Sequence, residues 1–335
     1  MASNKMAIPY MQQAHDPFLD SKAGFIACPS AYKRDREEVV DTLIAYRVAT
    51  SVHVYPTAWR LKLLWSSRVW EPGLDTRIWR DERGRMLAFA MLWRRVRMSG
   101  YLVLERVVHP AFVSAGLVED MLGWGLERAR RIVARQVEPL LLFARPLAPA
   151  VYMEKDLQDY GFIPISHDPQ AHNVYFTKSL QGDQPVPELP PGYQIRALDG
   201  EQDLENYGAL YGFAVVSREH RRDLLASDEY NLLVVEADDK SLLAYCESSF
   251  CRAEWRASGK KIGWIDYIET NAEQRGRGLG KAVLLASLGR LRLSGADETL
   301  LVTVSNNAAA IQLYQSVGFE RTEINEAASY QMVLG

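Results

Sequence analysis

Hydrophobic and polar residues follow two periods in the C-terminal half of this chain. Alternation with a period of two, typical of half-buried strands, predicts strands at about 193–198, 231–236, 242–250 and 261–270. The helical period predicts helices at about 201–213, 217–226, 278–292 and 308–317. A strand at 300–304 separates the last two helices, and two short strands end the chain. Antiparallel strands that precede a βαβ unit predict an α/β fold with a mixed sheet.

The N-terminal half repeats this order of elements. Its predicted helices lie at about 34–49, 55–66, 116–133 and 149–159. Its predicted strands lie near 75–80, 86–95, 101–108 and 140–143. The segment VVHPAFVSAGLVEDML at 107–122 is similar to ETNAEQRGRGLGKAVL at 269–284. A repeat of this size indicates duplication, and we predict two tandem domains, each a twisted mixed sheet flanked by helices.

A segment rich in proline and glycine separates the two halves. Residues 181–192 read QGDQPVPELPPG and have no apolar period, as expected of a linker. A length of 335 residues also suits two domains of ordinary size. We therefore predict an N-terminal domain at 1–180, a linker at 181–192 and a C-terminal domain at 193–335.

Charge differs between the halves more than the net charge of −3 suggests. Residues 1–180 carry a net charge of +5, and residues 181–335 carry −8. An acidic C-terminal half favours a cationic acceptor such as an amine. The arginines of the helix at about 116–133 and just beyond it are expected to form a solvated face, so no nucleic-acid partner is predicted.

Membrane insertion, secretion and metal binding are not expected. No apolar stretch approaches the roughly 20 residues that span a bilayer, and the first residues lack the pattern of a secretion signal. The six histidines and three cysteines show no metal-ligand spacing. An odd number of cysteines is typical of reduced thiols in a cytoplasmic protein. A monomer and a homodimer are both compatible with the sequence.

The first candidate for chemistry is the segment TNAEQRGRGLGKAVLLASL at 270–288. Glycines that let the backbone turn tightly before the helix are Gly276, Gly278 and Gly280. Unpaired amides at a helix N-terminus bind phosphate or pyrophosphate. Here these amides belong to residues 276–281, which include Leu279. Cationic side chains for the same anion are Arg275, Arg277 and Lys281. A tight turn with solvated arginines is the alternative; a dinucleotide fingerprint is disfavoured because the motif does not follow the first strand.

The second candidate is the segment SNNAAAIQLYQSVGFERT at 305–322. Asn307 ends a strand and can cap the helix that begins near Ala308. Gly318 can end that helix, and Phe319 begins the next strand. Tyr314, taken alone, suits an ordinary core position on the same helix.

Together the two segments resemble the GNAT superfamily of acetyltransferases. Its pyrophosphate signature, Arg-x-x-Gly-x-Gly, is matched by Arg275, Gly278 and Gly280. Its second signature is matched by Asn307, Ala310, Leu313, Tyr314, Gly318 and Phe319. The resemblance covers the whole C-terminal half. It implies that acetyl-CoA binds there, with its pyrophosphate on residues 275–281. The acyl arm would contact Asn307 and the backbone of Ile268 and Thr270.

The resemblance also implies an activity, the transfer of an acetyl group to a primary amine, most naturally that of a small molecule. Tyr314 would protonate the departing thiolate, and the backbone N–H of Ile268 would stabilise the oxyanion. The amine needs a proton acceptor, for which Glu269 is the chosen candidate and Asp266 and Glu247 are alternatives. Alternation places Asp266 and Glu269 on opposite faces unless a bulge intervenes. No metal is required.

The N-terminal copy has lost the pyrophosphate signature. Alignment of Gly116 with Gly278 places Val113 opposite Arg275, Val118 opposite Gly280 and Glu119 opposite Lys281. We expect Val118 to lie where a phosphate should meet the backbone, and only the C-terminal domain to be catalytic. This arrangement resembles that of mycothiol synthase-like tandem acetyltransferases, whose substrate does not follow from the resemblance. A protein N-terminal or lysine acetyltransferase and a non-catalytic acyl-CoA sensor remain alternatives.

Overall fold

Runs rich in aliphatic and aromatic residues form two separate sheets in the computed structural model of the protein. The structure describes residues 24–30, 32–50, 57–58, 61, 72–94, 100–135, 138–145, 147, 157–165, 173–182, 184–198, 203, 207, 225–322 and 330–335. The helices predicted near 55–66, 201–213 and 217–226 lie largely outside these residues. Most of the helix predicted at about 149–159 does so too.

The first sheet draws most of its strands from the N-terminal half. They are β1 (Ile26–Pro29), β2 (Thr76–Arg80), β3 (Met86–Arg94), β4 (Tyr101–Val108), β5 (Leu140–Ala144), β6 (Ile163–Pro164) and β14 (Tyr330–Leu334). The helices are α1 (Tyr32–Thr50), α2 (Pro72–Asp75) and α3 (Ala115–Val133). The strand order is β1-β2-β3-β4-β5-β14-β6, and the β4–β5 pair, joined through α3, is parallel. The predicted βαβ unit is therefore present.

The second sheet has the same design. Its strands are β7 (Asn173–Ser179), β8 (Tyr193–Ala197), β9 (Tyr230–Ala237), β10 (Leu242–Phe250), β11 (Ile262–Thr270), β12 (Glu298–Val304) and β13 (Glu320–Thr322). Its helices are α4 (Arg252–Ser258), α5 (Leu279–Leu293) and α6 (Ala308–Ser316). The strand order is β13-β7-β12-β11-β10-β9-β8, with the parallel pair β11–β12 joined through α5. Two mixed sheets flanked by helices confirm the predicted fold class.

Each half of the chain completes the sheet of the other half with its last strand. β7 precedes the predicted linker, yet it pairs with β12 and β13. β14 ends the chain, yet it pairs with β5 and β6. Val174 and Phe176 of β7 are buried in the core of the second sheet, whereas Tyr330 of β14 is buried in the core of the first. Neither exchange was predicted.

The compact units consequently differ from the predicted domains 1–180, 181–192 and 193–335. Unit 1 consists of Met1–His53, Val69–Ile165 and Ala327–Gly335, and unit 2 consists of Val54–Arg68 and Ser166–Glu326. The two divisions differ at 54–68, 166–180 and 327–335. The last two differences involve β7 and β14, because strand alternation specifies which face of a strand is buried but not which sheet receives it. Among the described residues, no helix is long and apolar enough to cross a membrane.

Helix α5 positions the candidate site in unit 2. Its apolar side chains recur at helical spacing and are buried against the sheet: Leu279, Val283, Leu284, Leu288 and Leu291. A Cβ at Gly263 of β11 would lie 2.9 Å from Leu291 Cδ2, so a side chain at that position would displace the Leu291 side chain that packs there. The close packing holds the N-terminus of α5 beside the C-terminal end of β11.

Candidate functional site

A tight turn carries the chain from β11 into α5. A 3-10 turn at Ala272–Gln274 begins at Asn271, whose Oδ1 accepts a hydrogen bond from Glu273 N at 3.1 Å. Gly276 and Gly278 follow with φ values of 79° and 78°. This left-handed conformation costs a residue with a Cβ roughly 1–2 kcal/mol, which explains the glycines. No atom would lie within 4 Å of a Cβ at either position, so this side of the turn is open.

The start of α5 has the features of an anion site. Gly278 is the N-cap and has no side chain to accept from the first amides, which therefore point outward with the positive end of the helix dipole. Arg275, Arg277 and Lys281 are exposed around it. Arg275 Nε donates to Thr270 O at 3.2 Å, and Arg277 Nη1 donates to Tyr193 Oη at 3.2 Å. Amides and cations at one end of a helix fit a pyrophosphate.

Gly280 has a packing role that the sequence did not reveal. A Cβ on this residue would lie 2.9 Å from Thr270 Oγ1. Glycine therefore lets the first turn of α5 approach the last residue of β11. Leu279, beside it, is buried in the core, so only its backbone is available to a ligand.

The parallel strands of the site separate from one another. β11 pairs with β12 only from Ile262 to Trp264. Asn271 N donates to Leu243 O of β10 at 2.8 Å. Because backbone groups of successive strand residues point to opposite sides, those of Thr270 and Ile268 point away from β10, where β12 has separated. Both predicted acyl-arm contacts thus lie on the open side of β11.

Asn307 occupies the predicted position at the start of α6. Its Oδ1 accepts a hydrogen bond from Ala310 N at 3.3 Å, and its Nδ2 donates to Thr303 Oγ1 at 3.4 Å. The residue is exposed. The side chain caps α6 and also links the helix to β12, so the turn between β12 and α6 is held in place.

Tyr314 lies on the buried face of α6. Its ring packs against Phe176 and Phe319, with centroids 6.0 Å away in each case. Burial raises the pKa of its hydroxyl, and Cys246 and Tyr267 raise it further. Among the described residues, no hydrogen bond is found to this hydroxyl. Tyr314 is thus a core aromatic whose hydroxyl stays protonated at neutral pH and can donate.

Tyrosine and glutamate side chains alternate on the face of β10 and β11 that is opposite to the core containing Cys246 and Tyr314. Tyr245 pairs with Glu269, and Glu247 pairs with Tyr267. Tyr245 Oη donates to Glu269 Oε2 at 3.1 Å, and Tyr207 Oη donates to Glu247 Oε1. The rings of Tyr245 and Tyr267 are stacked, with centroids 6.0 Å apart. We call these five residues the tyrosine–glutamate cluster. Its three tyrosines were not predicted as site residues, although strand alternation places four of the five residues on one face.

A β-bulge interrupts β11 beside this cluster. Glu247 pairs with Tyr267 and Ser248 pairs with Ile265, so Asp266 is the extra residue. The alternation expected between Asp266 and Glu269 is therefore broken. The electrostatic influence of Asp266 reaches Cys246, whose pKa burial raises to about 12. Over the described part of the chain, no grouping of His, Cys, Asp or Glu side chains is suited to hold a metal ion.

Unit 1 has the same strand separation, but the side chain of Arg106 bridges it. β4 pairs with β5 only from Tyr101 to Leu104, and His109 N donates to Leu87 O as Asn271 does in unit 2. The residue in the place of Ile268 is Arg106, which is 5% exposed and donates through Nη2 to Arg145 O at 3.0 Å. The guanidinium thus bridges β4 to the residue that follows β5.

The start of α3 also differs from that of α5. Val118, which we expected beside the phosphate position, is instead completely buried in the core of unit 1. Gly116 does not have a positive φ, and Glu119 is exposed. The preceding turn is packed by aromatic contacts, with the Arg85 guanidinium 5.1 Å from the ring centroid of Phe112. Side chains therefore pack against this turn, and it offers neither of the glycine conformations found in unit 2.

Known proteins share both the sequence pattern and the fold. Residues 195–319 match the family model described as the Acetyltransferase (GNAT) family. A mycothiol acetyltransferase from Thermobispora bispora is 30% identical over 255 residues, which cover 71% of this chain and 81% of that protein. Another from Kocuria rhizophila is 36% identical over 164 residues, covering 44% of this chain and 54% of that protein.

Solved structures also share the fold. A tandem GNAT protein from the clavulanic acid biosynthesis pathway superposes with a TM-score of 0.62 at 16% identity, covering 93% of this chain and 99% of that one. A GCN5-related N-acetyltransferase from Sphaerobacter thermophilus gives a TM-score of 0.60 at 19% identity, covering 93% and 96%. At these identities the likeness concerns the fold.

Proposed function

The chain belongs to the GNAT family of acetyltransferases, in its tandem two-domain form, and on this premise we propose that unit 2 transfers an acetyl group from acetyl-CoA to a primary amine of a small molecule. One observation carries the proposal. The backbone groups of Ile268 and the N–H of Thr270 are not paired with β12, and they lie on the strand that leads into the glycine turn. An anion site and an acyl-arm site are thereby joined in one continuous path.

The first task of the site is to bind acetyl-CoA. Acetyl-CoA supplies the reactive thioester. The amides of residues 276–281 hold its pyrophosphate, with Arg275, Arg277 and Lys281 as counter-charges. The backbone of Ile268 and the N–H of Thr270 provide main-chain hydrogen bonds along the edge of β11 that β12 leaves, and Asn307, held to Thr303 of β12, contacts the acyl arm. Fixing acyl donor and amine side by side supplies much of the rate enhancement expected of such an enzyme.

The second role is proton transfer at the leaving group. Tyr314 donates a proton to the thiolate of CoA, because burial keeps its hydroxyl protonated. The backbone N–H of Ile268 donates to the acyl oxygen as negative charge develops there. Phe176 and Phe319 hold the tyrosine ring, so the hydroxyl needs little reorganisation.

The third role is removal of a proton from the amine. We assign it to Glu269, which is half-buried and follows Ile268 directly on β11. Tyr245 Oη donates to Glu269 Oε2 and fixes the orientation of the carboxylate. Glu247 is buried more deeply and accepts from Tyr207, which makes it less suited to exchange protons with solvent.

Release of free thiol from acetyl-CoA, measured with a panel of amines, tests the proposal. The panel includes the acceptor of the mycothiol acetyltransferases, because one such relative is 30% identical. We expect acetylated product by mass spectrometry and a kcat about 100-fold lower in Glu269→Gln. Glu273→Gln, which alters an exposed carboxylate on the nearby 3-10 turn, is the matched control.

Other outcomes would identify the alternatives. Acetylation of peptide N-termini or lysines, but of no small amine, would indicate a protein acetyltransferase. Tight binding of acetyl-CoA, without release of free CoA thiol in the presence of any acceptor, would indicate a sensor and contradict the proposed activity.

A further inference from the structure

Glu247 is a buried carboxylate that the proposed reaction does not use. It is 5% exposed and accepts one hydrogen bond, from Tyr207 Oη. It takes part in none of the ion pairs found among the described residues. A buried carboxylate without a cation is costly, by several kcal/mol where charge is fully desolvated. Such a group is a natural place for a positively charged ligand.

A second buried polar group faces the same way. Ser249 follows Glu247 by two residues on β10, so both side chains lie on the face of the tyrosine–glutamate cluster. Ser249 is 0% exposed, and its Oγ has no hydrogen-bond partner in the part of the chain that the structure describes. Two buried polar groups thus share one face, one without a described hydrogen-bond partner and the other without a described cation, which favours a polar ligand at this position.

A cation that strand pairing places on this face is already engaged. Arg196 of β8 is bonded to Asp203 and Glu236, at the far end of β9 from the strand pairing of Glu247. That contact, together with Lys240 and Gln194, lowers the pKa of Glu236 to about 2. Among the described residues the two ends of the face therefore differ, since Glu236 forms ion pairs with Arg196 and Lys240 whereas Glu247 forms none.

The position of Glu247 relative to Glu269 suggests that a cation bound at Glu247 is part of the acceptor substrate. The two residues are diagonal neighbours on β10 and β11, because Tyr245 pairs with Glu269 and Tyr267 pairs with Glu247. Diagonal neighbours have Cβ atoms up to roughly 7–8 Å apart. The stacked rings of Tyr245 and Tyr267 occupy the other diagonal, and aromatic faces attract both methylene groups and ammonium ions.

We propose that the acceptor is a diamine, whose reacting nitrogen lies at Glu269 while its second, protonated nitrogen binds Glu247 and Ser249. This inference rests on the proposed function and narrows its substrate class. The reacting nitrogen must become neutral, whereas the second remains an ammonium ion that offsets the buried carboxylate. A chain of four or five methylene groups spans roughly the separation of diagonal positions.

Matched pairs of amines test the proposal on the full-length protein. We expect kcat/KM for 1,4-diaminobutane or 1,5-diaminopentane to exceed that for 1-aminobutane or 1-aminopentane by about tenfold or more. In Glu247→Gln, whose amide oxygen still accepts from Tyr207, this ratio should fall to near one. Glu320→Gln removes an exposed charge of unit 2 and should keep the ratio.

Two results would overturn the inference: equal kcat/KM for diamines and monoamines, or a diamine preference that persists in Glu247→Gln. Calorimetric titration of 1,4-diaminobutane in the presence of CoA separates this failure from that of the proposed function. Binding that Glu247→Gln abolishes, without turnover of any amine, would support the diamine site and contradict acetyl transfer. Turnover of monoamines without diamine preference would do the reverse.

Discussion

Units 1 and 2 share an order of elements and a separated pair of parallel strands, but they use the separation differently. In unit 2 the backbone of Ile268 and Thr270 faces an opening that leads to the glycine turn. In unit 1 Arg106 spans the corresponding space and donates to Arg145 O. The turn that follows is packed by side chains rather than opened by left-handed glycines.

The difference shows how a duplicated fold can keep its core and lose its site. Packing of α3 and α5 depends on apolar residues at helical spacing, which both helices retain. Backbone groups left open for a ligand are costly unless solvent or a partner satisfies them. Once the ligand is no longer bound, a side chain such as Arg106 that satisfies a strand-end carbonyl stabilises the unit.

The largest effect should come from cutting the chain at the boundary that the sequence suggests. Fragment 193–335 lacks β7, whose Val174 and Phe176 are buried in unit 2, so we expect it not to fold. Fragment 166–335 retains β7 and should show a cooperative unfolding transition by circular dichroism. A stable 193–335 fragment with native-like CoA affinity would contradict the role of the exchanged strand.

The next effect distinguishes the two helix N-termini. Gly278→Val places a β-branched residue at φ 78°, so we expect CoA affinity to fall by about 100-fold or more in calorimetry. Gly116→Val alters the aligned residue of unit 1, which has no positive φ, and should leave affinity unchanged. The wild-type chain should bind one CoA. Two equivalent sites per chain, or turnover surviving in Gly278→Val, would show that unit 1 is not silent.

A smaller effect is expected for the proposed acid. Tyr314→Phe keeps the ring between Phe176 and Phe319 and removes only the hydroxyl. We expect kcat to fall by about 100-fold, with CoA affinity within a few-fold. Tyr330→Phe changes a buried tyrosine of unit 1 and should not alter kcat. If Tyr314→Phe also has an unchanged kcat, Tyr314 is a core residue only.

The smallest effect should confirm that Arg106 acts in folding. Arg106→Met removes the hydrogen bond to Arg145 O, which should lower the free energy of unfolding of unit 1 by about 1–3 kcal/mol in urea titrations. CoA affinity should stay within about twofold, since the pyrophosphate residues are in unit 2. A second CoA bound by Arg106→Met would mean that this one side chain closes the site of unit 1.

Most elements were predictable from local pattern, and some contacts were not. The strand at 242–250 and the helix near 278–292 appear within about one residue of their predicted limits. The expected position of Val118 beside a phosphate was wrong, because the direction of its side chain depends on how α3 packs on the sheet. Tyr207 was missed, since its contact with Glu247 joins residues 40 positions apart.

The sequence by itself determined the family, the two α/β halves and the glycine turn, because these follow from periods, turn residues and charges that act over short distances. Only the tertiary structure decided which sheet received β7 and β14, since any strand of suitable alternation can satisfy a sheet edge. It also decided that Arg106 fills one strand separation while Ile268 leaves the other open. Both outcomes depend on non-local backbone pairing, which the pattern of a single strand does not encode.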